Sequence, residues 1–466
     1  MTLQPPTHTS TAPQPAPQPG AQWTLPMALT GRAGLLAALG ALVVLVAPRP
    51  GYAVLGVTLV LAALITVDLL AAGGVRPLRF RRDGERLIRL GGTVPVGLVV
   101  ENPGGRRLRA VVRDAWPPSA QVTPREVRVT VPAGERRRFV VTLAPLRRGD
   151  SEAVNVTVRS FGPLGLAARQ GSHRVPWSVR VLPPFHSRRH LPARLARLRE
   201  LEGAHPAMVR GQGTEFDSLR EYVVGDDVRS IDWRATARRA DVVVRTWRPE
   251  RDRRVLIVLD TGRTSAGRVG VAPVPGVASG WPRLDWSMDA ALLLAALAAR
   301  AGDRVDFLAY DRVVRAWVPG AARTGLLPSL VNAMAPIEAE LVEADPTGLA
   351  AAILTRAKRR CLVVLLTDLN PAAMEEGLLP VLPSLSTRHL LLVAAVSDPR
   401  VTKMATGRGT IEAVYDAAAA EHLRGERRRV TSRLRRSGVE VVDALPDEIA
   451  PALADAYLAL KAAGRL

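Results

Sequence analysis

The chain has 466 residues and a formal net charge of +21, because 64 Lys and Arg residues outnumber 43 Asp and Glu residues. This length is sufficient for two or three domains, each with a buried core. The single cysteine, Cys361, excludes an internal disulfide framework and fits a reducing compartment. No HExxH, GxSxG or GxxxxGK[ST] pattern occurs, which removes the commonest hydrolase and nucleotide-binding signatures.

The positive charge is almost entirely arginine, with Lys358, Lys403 and Lys461 as the only lysines. This preference for arginine over lysine indicates a genome-wide coding bias as much as selection for binding a partner. The charge allows two interpretations: a solvated basic surface that also suits an anionic membrane leaflet, or a nucleic-acid surface centred on Glu421–Arg436. We favour the first and expect no nucleic-acid partner.

The N-terminal part predicts a membrane anchor. Residues 1–26 are uncharged and rich in Pro, Gln and Thr, which is typical of a disordered tail. Two apolar runs follow, Ala33–Ala47 and Tyr52–Ala72, and Met27–Gly31 extends the first of them. We predict a transmembrane helical hairpin over residues 27–73. A cleaved signal peptide is the alternative interpretation of the first run.

Charged residues near the second run bear on orientation. Asp68 lies within that run, and we expect it near the helix end, where it reaches interfacial water or a flanking arginine. Arg76, Arg79, Arg81 and Arg82 follow without an acidic residue among them. By the positive-inside rule, everything downstream lies in the cytoplasm.

Residues 74–185 alternate apolar and polar side chains with period two, which predicts a small antiparallel β-sandwich. The predicted inward residues are Val94, Val96, Leu98 and Val100; Val127, Val129 and Val131; Phe139, Val141 and Leu143; and Val154, Val156 and Val158. Residues 186–210 are predicted as a linker with a short helix at Ala193–Glu202.

The C-terminal part, residues 211–466, predicts a doubly wound α/β domain. Val255 to Leu259 form an apolar run without alternation, typical of a central strand buried on both faces. Asp260, Gly262 and Thr264 then follow at the carboxyl end of that strand, where such sheets place ligands. We predict further strands at 304–310, 313–318, 361–367, 389–395 and 439–443, and helices at 285–300, 324–334, 347–358, 372–385, 411–436 and 448–463.

Residues 213–238, here called the signature segment, are crowded with charges of both signs. They form either an ion-pair network that holds the segment on the sheet or a docking surface for a partner protein. The residues selected for either role are Glu215, Phe216, Arg220, Tyr222, Asp226, Asp227, Arg229, Asp232, Trp233 and Arg238.

The motifs GTEF at 213–216, LREYVVGDDVRSIDWRATAR at 219–238 and LDTGRT at 259–264 resemble the bacterial family called domain of unknown function 58. The family has no settled biochemical activity. The resemblance implies a von Willebrand factor A-like (Rossmann-like) carboxyl domain, attachment to the bacterial inner membrane, and a MoxR-type AAA+ ATPase as partner in assembly or maturation. The stretches RRGDS at 147–151 and FGPLGL at 161–166 resemble strand-linking turns of this family, with a structural role.

A von Willebrand factor A domain of the adhesion type carries a metal-ion-dependent adhesion site. Carried over by position, Asp260, Thr264 and Asp368 are its ligands, and the ion is Mg²⁺. The middle ligand is Thr347 or Asp345, and spacing does not choose between them. Gly262 departs from the pattern, because it replaces a coordinating serine. Alternatively, Asp260 and Asp368 cap the following helices and satisfy loop amides.

Three functions from different classes follow. The first is a membrane-anchored protein-interaction module, which we favour, and which performs no chemistry. The second is a metal-dependent enzyme at Asp260 and Asp368, although Arg263 beside them cannot take a proton. The third is a basic nucleic-acid-binding protein.

Overall fold

The computed structural model describes residues 27–204, 215–223, 228–239, 241–248, 253–270, 280–320 and 325–466. Over these residues the protein is a mixed α/β structure with several sheets. The tail predicted at residues 1–26 lies outside the described residues.

Two apolar helices stand near the N-terminus. A short strand, β1 (Met27–Leu29), precedes α1 (Gly31–Val46) and α2 (Pro50–Ala71). By length and composition α2, which has 22 residues and an 18-residue window with a mean hydropathy of 2.5, is the one helix in the described part of the chain that could cross a membrane. The helices contact each other where Gly40 of α1 meets Val57 of α2.

The prediction that Met27–Gly31 extends the first apolar helix holds only for Gly31. Met27–Leu29 pair antiparallel with residues 167–169 of the β-sandwich. The hydroxyl of Thr30 donates to the carbonyl of Gly165 at 2.7 Å, which holds the chain there. Helix α1 therefore starts at Gly31 and has 16 residues, fewer than the roughly 20 that a full span needs.

Asp68 lies in the last turn of α2, and its side chain is fully buried. Its Oδ1 accepts the backbone amides of Leu164 at 2.9 Å and Gly165 at 3.3 Å. Its Oδ2 accepts those of Leu166 at 2.7 Å and Ala167 at 2.9 Å. The predicted partners, interfacial water or a flanking arginine, are therefore wrong. Four amide donors compensate the buried carboxylate and attach the end of α2 to the turn at 162–167.

The β-sandwich consists of two sheets. Its further strands are β2 (Arg79–Gly84), β3 (Leu87–Arg89), β4 (Val94–Glu101), β5 (Leu108–Asp114), β6 (Glu126–Val131), β7 (Arg136–Leu143), β8 (Gly149–Phe161) and β9 (Ala167–Leu182). One sheet has the order β1-β9-β8-β5-β6 with β3 beside β9, and the other has the order β2-β4-β7. Val94, Val96, Leu98 and Val100 of β4 are at most 1% exposed, so their predicted inward face is confirmed.

A register shift changes one predicted face. Val156 and Val158 of β8 are buried, but Val154 is 41% exposed and Ala153 is 1% exposed. The pairing of β8 with β9 shifts between Ala153 and Asn155. Because a bulge inserts one extra residue, the side chains before it change faces, and the prediction for Val154 is wrong.

Arg82 lies inside the sandwich, although it was grouped with the charges next to the membrane. Its side chain is fully buried and its Nη2 is 2.5 Å from Oδ1 of Asp114. Arg76, Arg79 and Arg81 are exposed. Only these three are placed to face solvent or lipid headgroups, because the β2 pleat directs Arg82 inward.

The predicted linker packs against the C-terminal part. It contains a 3₁₀ turn, His186–His190, and helix α3 (Leu191–Ala204), which is longer than the predicted 193–202. Leu198 of α3 is 2% exposed within the C-terminal core. Arg194 forms an ion pair with Asp455 at 2.9 Å.

The C-terminal sheet lies at the centre of the remaining elements. Before it come β10 (Glu215–Glu221), α4 (Trp233–Arg239) and β11 (Val243–Arg248). The following elements are β12 (Arg254–Asp260), β13 (Arg268–Val269), β14 (Trp281–Pro282), α5 (Arg283–Arg300), β15 (Arg304–Tyr310), β16 (Val314–Val318), α6 (Leu326–Met334), α7 (Pro346–Arg356), β17 (Leu362–Leu366), α8 (Leu379–Ser386), β18 (Leu390–Val396), α9 (Pro399–Ala405), α10 (Ile411–Arg436), β19 (Glu440–Ala444) and α11 (Pro446–Ala462). The sheet order is β16-β15-β12-β17-β18-β19, and only β16 is antiparallel to its neighbour.

Helices cover both faces of this sheet. Val255, Ile257 and Leu259 of β12 belong to a core shared with α5 and α11. Leu256 and Val258 belong to a second core shared with α7, α8 and α10. The apolar run without alternation therefore forms a central strand buried on both faces, as predicted. The features that were not predicted include α9, the short strands β13 and β14, and a π-helical turn at Ala373–Leu378 that precedes α8.

Asp289 of α5 attaches the 3₁₀ turn to the C-terminal part. Its Oδ1 accepts the hydroxyl of Ser187 at 3.0 Å and the amide of Ser187 at 3.2 Å. Burial raises the pKa of Asp289 to about 6, although hydrogen bonds from Ser187 oppose the increase.

This pKa predicts a pH dependence of stability. The folded protein binds more protons than the unfolded chain between about pH 4 and pH 6, so the contribution of Asp289 falls as pH rises through that window, by up to about 3 kcal/mol. We expect the difference in unfolding free energy between the protein and its Asp289→Asn variant to change across pH 4–6 and to be constant above pH 7. Urea titrations in detergent micelles measure it, and a pH-independent difference would contradict the assignment.

Candidate functional site

Strand β12 is the point at which the strand order of the sheet reverses. The next strands of this sheet in chain order, β15 and β16, lie on one side of it, and β17 lies on the other. Ligands of open α/β sheets bind outside the carboxyl ends of the strands at such a reversal. A cavity of about 430 Å³ opens there. Its wall includes Asp260 at the end of β12, Thr367 and Asp368 after β17, and the apolar side chains of Val258 and Leu365.

Asp260 is 7% exposed and accepts three internal hydrogen bonds. Its Oδ1 accepts the amide of Gly262 at 2.8 Å, and its Oδ2 accepts the hydroxyls of Thr264 at 3.0 Å and Thr367 at 2.6 Å. Burial raises the pKa of Asp260, and these hydrogen bonds oppose the increase. The interpretation that Asp260 satisfies a loop amide agrees with the contact to Gly262.

Thr367 was not selected from the sequence. It lies next to Asp368 and immediately after the buried strand β17, and that position was the available signal. Only the pairing of β12 with β17 brings its hydroxyl to Asp260, which is 107 positions away in the chain.

Two arginine side chains compensate the negative charge of Asp368. Its Oδ2 is 3.2 Å from Nη1 of Arg283, and its Oδ1 is 2.8 Å from Nη1 of Arg427. Arg427 also binds Asp443 through Nε at 2.7 Å. Asp260 and Asp368 thus line one cavity, as expected, but the partners of Asp368 are guanidinium groups.

Gly262, which stands where the adhesion-site pattern has a serine, lies close to its neighbours. A Cβ at this position would lie 3.1 Å from the carbonyl oxygen of Val342 and 3.2 Å from Oδ1 of Asp260. The loop is held there because the amide of Arg263 donates to Val342 at 2.8 Å. A side chain at residue 262 would require these neighbours to move by a few tenths of an ångström.

The predicted middle ligand has two candidates. Thr347 is exposed in the first turn of α7. Asp345 caps the same helix, and its Oδ1 accepts the amide of Gly348 at 2.9 Å. The cavity wall takes Glu343, Ala344 and Pro346 from this loop, and neither candidate belongs to it.

Mg²⁺ is the ion that the resemblance implies for Asp260, Thr264, Thr347 and Asp368. This set of donors does not fit a divalent cation. The oxygens of both carboxylates already accept hydrogen bonds or face Arg283 and Arg427. Two guanidinium groups also place positive charge beside the site, which disfavours a cation. Within the described residues, no group of three or more His, Cys, Asp and Glu side chains is arranged to hold a metal ion.

Magnesium titration is therefore expected to give no saturable heat. In calorimetry on the full-length protein in detergent micelles, 5 mM Mg²⁺ should leave the melting temperature unchanged. The Arg283→Met variant is the comparison, because removing the guanidinium group of Arg283 leaves Oδ2 of Asp368 without its ion-pair partner. Saturable binding to the unaltered protein would restore the adhesion-site prediction.

Strand β10 of the signature segment pairs antiparallel with β11, which follows the segment, in a separate two-stranded sheet, and α4 lies between the two strands in the chain. Oδ1 of Asp232 accepts the amides of Arg234 and Ala235, each at 3.0 Å, and so caps α4. Trp233 is 67% exposed. Tyr222 donates its amide to Val242 at 2.8 Å.

The other selected residues of the signature segment are only partly described. Arg220 donates to the carbonyl of Glu221 at 3.0 Å, and Arg238 is exposed in α4. Asp226 and Asp227 lie outside the described residues, as do the side chains of Glu215, Phe216 and Arg229. The choice between an ion-pair network and a docking surface therefore stays a prediction.

The basic part of α10 is compensated by acidic side chains. Arg424 pairs with Glu421 at 2.5 Å, and Arg433 pairs with Glu375 at 2.7 Å. Arg427 pairs with Asp368 and Asp443, as described above. Several of the arginines in Glu421–Arg436 therefore form ion pairs within the protein.

The fold and the site define an α/β protein with a cavity at the strand ends of its C-terminal sheet and one apolar helix that could cross a membrane. A family model described as "Protein of unknown function DUF58" matches residues 218–440. The predicted resemblance to this family is confirmed over these residues.

Curated relatives include uncharacterized proteins of Mycobacterium tuberculosis and Mycobacterium bovis. Each is 27% identical over 210 residues, which is 43% of this chain and 60% of the relative. The chain thus spans 60% of the length of these relatives.

Similar solved structures include the CARDB domain of PF1109 from Pyrococcus furiosus, with 12% identity and a TM-score of 0.16 over 22% of this chain and 93% of that chain. Another is a GH20 exo β-N-acetylglucosaminidase from Vibrio harveyi, with 12% identity and a TM-score of 0.22 over 78% of this chain and 75% of that chain. At these TM-scores neither likeness supports an argument about fold or function.

Proposed function

We propose that the protein is a membrane-anchored, cytoplasm-facing interaction module with a von Willebrand factor A-like carboxyl domain. Its partner is a MoxR-type AAA+ ATPase, with which it assists assembly or maturation of other proteins. The observation that carries the proposal is the cavity at the carboxyl ends of β12 and β17, at the reversal point of a sheet with helices on both faces. The partner is supported by the family resemblance.

The cavity suits a polypeptide side chain better than a reaction. Asp260 and Asp368 are occupied by hydrogen bonds and ion pairs, so neither is free to accept a proton from a substrate. Apolar wall residues lie beside them, and Leu341, next to Val342 of the wall, is 78% exposed. An exposed apolar side chain at the rim is typical of an interaction site.

Anchoring through α2 is supported by its length and its exposed apolar surface. Orientation toward the cytoplasm is supported by Arg76, Arg79 and Arg81, which follow α2. The proposal includes both α1 and α2 as membrane spans. Protease protection in inverted and right-side-out vesicles tests the orientation.

Site-specific crosslinking tests the partner. A photoreactive amino acid at Leu341, introduced in the native cell, is expected to capture an AAA+ ATPase subunit. The same residue at Val140, which is 42% exposed on β7, is the matched control and should not capture it. If the two positions give the same adducts, the cavity rim is not the docking site. If no adduct contains an ATPase, the proposed partner is wrong.

A further inference from the structure

The end of α2 is held rigidly against the β-sandwich. Asp68 accepts four amides of the turn at 162–167, and Arg106 of the loop before β5 donates through Nη1 to the carbonyl of Leu70. Because these contacts lie in the last turn of the helix, they determine which sandwich residues adjoin the membrane surface when α2 spans a bilayer.

An open notch of about 450 Å³ lies at this junction. Val67, Leu70 and Ala71 of α2 form its apolar wall, and Arg106 forms its polar end. Val67 is 55% exposed and Leu70 is 61% exposed, and Arg106 is exposed as well. The apolar wall is continuous with the exposed apolar surface of α2.

The charge around the notch is positive. The two segments that meet there, residues 69–82 and 104–109, contain arginines and no acidic residue. Arg76 and Arg107 of these segments are exposed, and Glu101, an acidic residue outside them, is 3.9 Å from Arg79. The adjacent carboxylate, Asp68, is fully buried and its oxygens are engaged by backbone amides, so it does not neutralise these arginines at the surface.

We propose that this notch binds an anionic phospholipid. The phosphate group contacts Arg106, and an acyl chain lies along Val67 and Leu70. An arginine presents a planar fork of donors that matches a phosphate, and basic pockets at the cytoplasmic end of a membrane helix suit such headgroups. The inference rests on the proposed function, because it requires α2 to be in a membrane.

Native mass spectrometry of the full-length protein in detergent micelles tests the inference, with phosphatidylglycerol and phosphatidylcholine as probes. We expect retained phosphatidylglycerol adducts on the unaltered protein and at least tenfold weaker retention by Arg106→Gln. Arg106→Lys should retain part of the binding, because it keeps the charge but not the fork. Arg128→Gln is the matched control, since Arg128 is an exposed arginine on β6 at the far edge of the sheet.

The outcomes separate the two proposals. Cosedimentation of both the unaltered protein and Arg106→Gln with vesicles, together with equal phosphatidylglycerol retention, would overturn the lipid site and leave membrane anchoring intact. Failure of the unaltered protein to associate with vesicles would overturn the proposed anchoring. Equal retention of the two lipids would also overturn the lipid site. Melting temperatures without lipid show whether Arg106→Gln is folded.

Discussion

Replacing Arg148 with methionine is expected to lower the free energy of unfolding by about 3–5 kcal/mol, because Asp285 then stays buried without its cation. Both side chains of this pair are 6% exposed. Arg148 also donates through Nη1 to the carbonyl oxygens of Met334, at 3.2 Å, and Ile337. One guanidinium group thus joins the sandwich to α5 and to the end of α6. Urea unfolding in detergent micelles measures the loss.

The neighbouring residue provides a matched control. Arg147 pairs with Glu338, but these side chains are 62% and 60% exposed. Arg147→Met is therefore expected to change the free energy of unfolding by no more than about 1 kcal/mol. The double variant Arg148→Met, Asp285→Leu should recover part of the loss, since it removes both charges. Equal effects of the two single substitutions would contradict the assignment.

Replacing Asp68 with alanine is expected to cost about 3–5 kcal/mol, because four backbone amides lose their acceptor. The amides of Leu164, Gly165, Leu166 and Ala167 should also exchange with solvent faster. Hydrogen exchange followed by mass spectrometry measures the local effect, and thermal unfolding measures the total.

Two further variants bracket the effect of Asp68. Asp68→Asn keeps one acceptor oxygen, so its free energy of unfolding should lie between those of Asp68→Ala and the unaltered protein. Thr66→Val is the control, because the hydroxyl of Thr66 is exposed and bonds only within α2, to Ala62. Unchanged exchange at residues 164–167 in Asp68→Ala would show that the carboxylate does not hold this turn.

The two turns that resemble family motifs contact other parts of the fold. RRGDS contains Arg148, which contacts α5, and FGPLGL contains the amides that bind Asp68. Arg283, in the first turn of α5 like Asp285, contacts Asp368 in the cavity wall. The turn at 162–167 therefore contacts the end of α2, and Arg148 contacts the helix α5 whose first turn also reaches the cavity wall.

Local periodicity determined much of the architecture. The run from Val255 to Leu259 indicated a strand buried on both faces, and the helix predicted at 411–436 has the same bounds as α10. These predictions succeeded because the burial of a strand or helix face depends on residues that lie within a few positions of each other in the chain. The same reasoning placed Asp260 at the carboxyl end of a strand, whereas Asp368 was selected through the resemblance to the adhesion-site pattern.

Only the tertiary structure decided which side chains these polar groups meet. Asp68 binds an amide 96 positions away, Thr367 reaches Asp260 across 107 positions, and Arg427 reaches Asp368 across 59. Spacing in the sequence carries no information about such contacts, because they exist only after the sheets and helices have packed. For the same reason, the family resemblance implied a metal ion beside Asp368, whereas the folded chain places two of its own arginines there.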